Sequence, residues 1–273
     1  MITPSEKQVI KQATESIGVS QTVNITCPCC KTDWAEQHSP SNWRPERSMS
    51  VTKDKLGILY NCFRATCTRG KGFITSISID TPVSTKEFRP NEYTDDLRAL
   101  SEGERRYLEE SFEITEDDIS NEGIMYNESR GTYIFPIRDI RGYDVGLVDR
   151  DFSGSRKLKA ISYWFNDVPK LHFIPHKDGL GTECIIVEDI PSAIKASKYM
   201  TAVALLGSHI NDAQAAHLAR LFSTATIALD DDAFLKAVKL RKKYSFYFKE
   251  LFIMKLVQDI KNMTYKQLDN LME

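Results

Sequence analysis

The hydrophobic rhythm of the chain changes several times. Residues 1–20 place Val9, Ile10 and Ala13 at helical spacing behind Ser5, a capping residue type, and predict a short N-terminal helix. Between 21 and 79 the pattern shifts to short alternating runs at 22–25, 48–51, 57–60 and 73–77, which read as strands because a period of two presents one face to a core. Residues 80–96 are rich in Pro, Thr, Glu and Asp, show no period, and read as a linker. The helical period then returns. Ser101 with Glu104 has capping-box spacing and opens a helix to about Phe112, and residues 115–118 open a second. Strands are expected at 124–126, 133–137, 145–148 and 159–163.

From residue 183 the alternation becomes regular. Cys184-Ile185-Ile186-Val187 is a continuous apolar run, as in a strand buried on both faces. A helix at 192–199, a strand at 202–206, a helix at 212–222 capped by Asn211, a strand at 225–229, a helix at 233–247, a strand at 251–257 and a helix from 264 follow. Such βαβα alternation predicts an α/β fold with a parallel, doubly wound sheet, whose ligands bind outside the strand C-termini. The expected organisation is an N-terminal helix (1–20), an antiparallel β ribbon (21–79), the linker (80–96), the first half of a core (97–182) and the α/β sheet (183–273).

Composition narrows the classes. With 273 residues, 41% hydrophobic and 27% charged, the chain buries a working core, which excludes disordered and collagen-like classes. The first residues carry no basic segment leading into an apolar run, and no stretch of about eighteen apolar residues occurs, so neither a secretory signal nor a membrane span is expected. Five of the six cysteines cluster as Cys27, Cys29, Cys30, Cys62 and Cys67, with Cys184 apart. Clustered thiols without an export signal point to metal in a reducing cytoplasm. Cys27 with Cys30 and Cys62 with Cys67 make two close pairs that suit tetrahedral zinc, with Cys29 and His38 as competing ligands.

The net charge of −2 is a cancellation. Residues 81–130 carry six Lys/Arg against fourteen Asp/Glu, whereas residues 234–266 carry nine against two. Asp230-Asp231-Asp232 directly follows one expected strand and Glu188-Asp189 another, which places two acidic clusters on the same sheet edge. Hard divalent ions take oxygen ligands, and Mg²⁺ usually takes one or two carboxylates while keeping waters. The other reading of such acids is solvated loop residues or helix caps. Basic residues recur at Arg138, Arg141, Arg150, Arg156, Lys157 and Lys159, as a polyanion or a triphosphate requires.

Val187-Glu188-Asp189, then Ala204-Leu205-Leu206-Gly207-Ser208, then Leu229-Asp230-Asp231-Asp232-Ala233 resemble the run of motifs of the TOPRIM fold, which serves primases, topoisomerases, some nucleases and a recombination mediator. The stretch from Tyr133 through Phe135-Pro136-Ile137-Arg138 to Gly142 resembles the segment preceding that fold in bacterial and phage primases. Residues 21–79 resemble the N-terminal zinc ribbon of phage primases, although a C-x₄-C pair stands where that family usually has C-x₂-C. Where the family often has Glu-Gly-x-x-Asp, this chain has Glu188-Asp189-Ile190-Pro191-Ser192, so Asp189 and Ser192 depart from the pattern. Asp259 falls where primases place a further acid.

The resemblance implies a DNA primase that makes short RNA primers on single-stranded template by metal-dependent nucleotidyl transfer. It implies structural Zn²⁺ on Cys27, Cys30, Cys62 and Cys67. Catalytic Mg²⁺ or Mn²⁺ would lie on Glu188, Asp230 and Asp232 with Asp189 assisting. Arg138, Arg150, Lys157, Lys159 and Lys236 would hold nucleoside triphosphate or template. No G-x-x-x-x-G-K-[ST] phosphate loop occurs, so the helicase, like the polymerase, would be a separate protein. The alternatives are a non-catalytic zinc-ribbon adaptor of replication or recombination, and a nuclease using the same acids.

Overall fold

A computed structural model describes residues 2–30, 48–53, 57–63, 67, 70–75, 96–165 and 169–272. The loop carrying His38 and, apart from Asp96, the linker expected at 80–96 lie outside the described residues. The chain forms two compact units. One gathers Met1–Thr81, Asn211–Thr224 and Lys242–Leu251, and the other Pro82–Ile210, Ala225–Arg241 and Phe252–Glu273.

The first unit begins with α1 (Pro4–Gln12). Its cap is Thr3 and not Ser5. The Glu6 carboxylate accepts the Thr3 backbone N–H at 2.6 Å, and Thr3 Oγ1 accepts the Glu6 N–H at 3.3 Å. Pro4, with its preset φ and no N–H to satisfy, takes the first helical position. Strands β1 (Thr22–Ile25), β2 (Met49–Lys53), β3 (Gly57–Cys62) and β4 (Lys71–Thr75) follow and pair antiparallel in that order. Ile10, Cys27, Cys29, Met49, Val51, Tyr60 and Ile74 form their buried core.

The second unit opens with an antiparallel meander. Its strands are β5 (Leu97–Arg98), β6 (Met125–Asn127), β7 (Thr132–Arg138), β8 (Asp144–Arg150) and β9 (Ala160–Trp164), with α2 (Glu102–Phe112) and α3 (Glu116–Glu122) between the first two. The capping box at Ser101 forms, with Glu104 accepting the Ser101 N–H at 2.7 Å. The second sheet contains β10 (His172–Ile174), β11 (Glu183–Val187), β12 (Thr201–Ala204), β13 (Thr224–Ile227) and β14 (Glu250–Ile253), in the order β10-β12-β11-β13-β14. Between these strands the chain forms α4 (Ile190–Ala196), α5 (Asp212–Leu221) and α6 (Phe234–Tyr244), and it closes with α7 (Tyr265–Met272).

The fold class is α/β, with an N-terminal antiparallel ribbon carrying a cysteine cluster. Strands β11 and β12 run parallel, and residues 184–187 and 202–204 are buried on both faces, as the unbroken apolar runs require. Strand β10 runs antiparallel to β12 and makes the sheet mixed. The sequence pattern does not announce β10, because three residues are too few to display a period. Strand β14 ends at Ile253, short of the expected residue 257. The chain leaves the sheet after Ile253, with Leu256 buried in the core and Val257 86% exposed. Among the described residues, no helix is long and apolar enough to cross a membrane.

Every residue of α4 is buried, including Lys195. Its ammonium donates to the Met263 carbonyl and to Glu113 at 3.3 Å and lies 5.1 Å from the Tyr265 ring, joining the end of α2 to the C-terminal segment. Truncating Lys195 strands the Met263 carbonyl and opens a cavity. Lys195→Ala should therefore lower the unfolding free energy by about 3 kcal/mol in urea titrations, and a loss below about 1 kcal/mol would show that this contact carries little.

Candidate functional site

Two constellations stand out, one in each unit. In the first unit, Cys27 and Cys30 follow β1, Cys62 ends β3, and Cys67 lies beyond it. Their four sulfur atoms lie within 4.8 Å of one another, with Cys27 and Cys67 3.8 Å apart and Cys30 and Cys62 3.7 Å apart. Four thiolates on a tetrahedral zinc with bonds near 2.3 Å stand about 3.8 Å apart, so the donor set and its spacing fit that ion. Cys29 points into the unit's core at 2% exposure and is not part of the set. A hydrogen bond from the Cys29 thiol, outweighing burial, holds the Cys27 thiol well below its ordinary range. Gly70 closes the cluster. A Cβ there would stand 2.6 Å from Cys67 Sγ, and the Gly70 carbonyl accepts the Cys62 N–H at 2.6 Å.

In the second unit, the acidic residues meet at the edge where β11 and β13 end. Glu188 leaves β11, and its carboxylate accepts the Asp230 N–H at 3.3 Å. Strand β12 exits over it, with the Gly207 N–H donating to the Glu188 carbonyl at 3.0 Å. Gly207 sits at φ +152°, a conformation that side chains disfavour, which accounts for a glycine at this strand end. Burial, followed by the charges of Asp230 and Asp232, pushes the Glu188 carboxyl up to about 7. Burial likewise raises Asp230 to about 6, with the Asp189 and Asp259 charges adding to it and Lys261 opposing.

Lys261 is the cation among these acids. Its ammonium lies 3.1 Å from Asp189, 3.2 Å from Asp230 and 2.9 Å from Asp259. Burial disfavours that charge, but the surrounding carboxylates outweigh it and raise the Lys261 pKa. Asp189 is further committed. It caps α4 by accepting the Ser192 N–H at 3.0 Å, and Arg150 stands 3.5 Å away. Although burial pushes the Asp189 pKa up, Lys261 and Arg150 bring it below the ordinary value.

These groups share a cleft of about 360 Å³ with Arg150 and Lys159, so the basic strand pair β8–β9 faces the acidic edge across it. Lys236 donates to Ser208 Oγ at 2.8 Å, and its charge acts on Glu188. The other expected residues lie elsewhere. Asp232 is exposed in the single 3₁₀ turn Asp231–Ala233 and does not line the cleft. Lys157 is exposed outside it. Arg138 lines a separate pocket of about 530 Å³, paired with Glu122 at 3.4 Å and Asp144 at 3.3 Å. Among the described residues, the cysteines are the group of metal-ligand side chains gathered within 4.8 Å, and Glu188, Asp230 and Asp232 are more widely set. A pair of carboxylates with room beside it still fits Mg²⁺ or Mn²⁺, which need few protein oxygens.

The sequence reading missed Lys261. The available signal was its position two residues after Asp259, beyond the last strand of the same sheet, from which Asp259 and Lys261 both line the cleft.

Gly70→Ala should lower the zinc content per chain measured by atomic absorption, since its Cβ overlaps Cys67 Sγ; full zinc occupancy would show that the loop yields without cost. The raised Glu188 pKa sets a pH dependence in zinc-loaded protein kept free of Mg²⁺ and Mn²⁺. Between the ordinary value of 4.5 and about 7 the folded chain keeps a proton that the unfolded chain has released. This contribution to stability is present at low pH and is lost as pH rises through that window. Glu188→Gln should flatten that part of the stability–pH curve in urea titrations, and unchanged slopes would show that Glu188 ionises normally.

No family model and no curated protein matches the chain. Among solved structures it is similar to the DnaG catalytic core, at 18% identity and TM-score 0.50 over 64% of this chain and 73% of that one. It is also similar to the primase fragment of the bacteriophage T7 primase-helicase protein (16%, TM-score 0.46, 66% and 74%). A third similar structure is the Aquifex aeolicus primase with its zinc-binding and RNA polymerase domains (15%, TM-score 0.42, 97% and 82%). The first of these shows that about two thirds of the chain has the fold of the DnaG catalytic core.

Proposed function

We propose that this chain is a DNA-dependent primase that joins ribonucleotides into short primers on single-stranded DNA. One observation carries the reading: the cleft in which Glu188 and Asp230, at neighbouring strand ends, face Arg150 and Lys159. A site with carboxylates on one wall and cations on the other suits a metal-bound triphosphate. It does not suit a purely apolar ligand or a bare polyanion.

The reaction is attack of a 3′-hydroxyl on the α-phosphorus of a nucleoside triphosphate, with release of pyrophosphate. Such chemistry rests on positioning and charge neutralisation more than on covalent participation by the protein. Glu188 and Asp230, with the exposed Asp232 close enough for its charge to act on Glu188, would hold a divalent ion, which would neutralise phosphate charge. Arg150 and Lys159 hold the triphosphate from the opposite wall, and Lys236 extends the basic lining from α6. Arg150 is set for this role by the Asp189 carboxylate on one side and the Phe152 ring, 5.2 Å from its guanidinium, on the other. The neighbouring turn is held by Asp149 and Asp151. Buried Asp149 pairs with Arg130 at 3.0 Å and Arg156 at 3.4 Å, and Asp151 accepts the Ser153 and Arg156 N–H groups, both at 2.8 Å. Exposed Lys157 on that turn is a template contact. The cysteine cluster holds a structural zinc that keeps the ribbon folded for template docking.

The test is incorporation of labelled ribonucleotide on single-stranded DNA by purified protein with Mg²⁺. The unmodified chain should make short RNA, and Asp230→Asn should lower the rate at least about 100-fold while leaving the fold intact by circular dichroism. Full activity in that variant would remove Asp230 from the machinery. Degradation of the template in place of primer formation would assign the same acids to a nuclease.

A further inference from the structure

The position of Lys261 says more about the site than that it is charged. An ammonium has three N–H donors, and this one has a carboxylate oxygen from Asp189, Asp230 and Asp259 at 3.1, 3.2 and 2.9 Å. Its side chain is 11% exposed, so it is a built part of the cleft and not a passing surface contact. Carboxylates so placed repel one another and are costly to bury without a cation. Lys261 supplies that cation, and it stands where a divalent ion serving the same three acids would stand. Among the described residues, no lysine or arginine nitrogen lies within ion-pair distance of Glu188, on which Lys236 acts only at longer range.

We propose that Lys261 is a fixed counter-cation that fills one of two cation positions in the cleft, so that the protein binds a single catalytic divalent ion, at the Glu188–Asp230 end. The inference rests on the metal-dependent reading above. Lys261 is a positioning residue. It holds Asp189 against Arg150 and α4 and leaves Asp230 to share the ion with Glu188. Removing its ammonium frees Asp189, Asp230 and Asp259 to take a second ion, whereas an arginine keeps the position filled.

The experiment counts Mn²⁺ bound to the zinc-loaded full chain, by electron paramagnetic resonance of the free ion during titration. The wild-type chain and Lys261→Arg should each bind one ion, Lys261→Ala two, and Glu188→Gln should lose the wild-type ion. Two ions on the wild-type chain overturn the inference, as does an unchanged count in folded Lys261→Ala. The wild-type count decides the matter even if Lys261→Ala fails to fold. Primer synthesis in parallel separates the two levels. A wild-type chain that makes primers while holding two ions overturns the counter-cation and leaves the primase reading standing. A chain that holds one ion, gains a second in Lys261→Ala and makes no primers supports the counter-cation while the primase reading falls.

Discussion

Packing several carboxylates at one sheet edge is possible only where a cation is packed with them, and in this protein that cation is Lys261. Strands β11 and β13 end side by side, and the chain beyond β14 returns to the same edge, so Asp189, Asp230 and Asp259 converge whatever their charge. The ammonium among them offsets the repulsion, and its three contacts fix how each acid is used. Asp189 becomes a helix cap and a partner for Arg150. Asp259 is neutralised. Asp230 keeps an oxygen edge beside Glu188. Because Arg150 belongs to β8, the same charge balance reaches from the mixed sheet to the meander and aligns the two walls of the cleft.

The ribbon depends on a separate constraint. Its core is small, seven buried residues among those described, including two of the five clustered cysteines, and a core of that size supplies little stability alone. The approach of four sulfur atoms to tetrahedral spacing is then a folding device as much as a ligand set. Gly70 shows how tight the arrangement is, because the volume of one methyl group separates a closed cluster from a collision.

The local signals in the sequence carried far. The capping box at Ser101, the cap at Asn211, the buried run through Val187, and acids placed directly after strands all report interactions between residues a few positions apart, which depend little on tertiary context. The signals that misled were also local, but their meaning depended on distant partners. Arg138 and Arg150 lie on adjacent strands of one basic block. Arg150 reaches the cleft, whereas Arg138 is held away from it by Glu122 and Asp144. Asp231 and Asp232 extend the acidic run in the sequence, but the 3₁₀ turn leaves both exposed.

The sequence by itself determined the α/β class, the cysteine ligand types and the sheet edge on which the acids fall, because periodicity and strand-end placement are properties of the chain read along its length. Tertiary structure alone decided which cations stand among those acids. Nothing in the chain near Asp189 or Asp230 specifies a lysine more than thirty residues away in one case and seventy in the other. That pairing arises when the last strand joins the sheet, and the low-dielectric cleft it closes turns one ammonium into the charge on which the arrangement of the site depends.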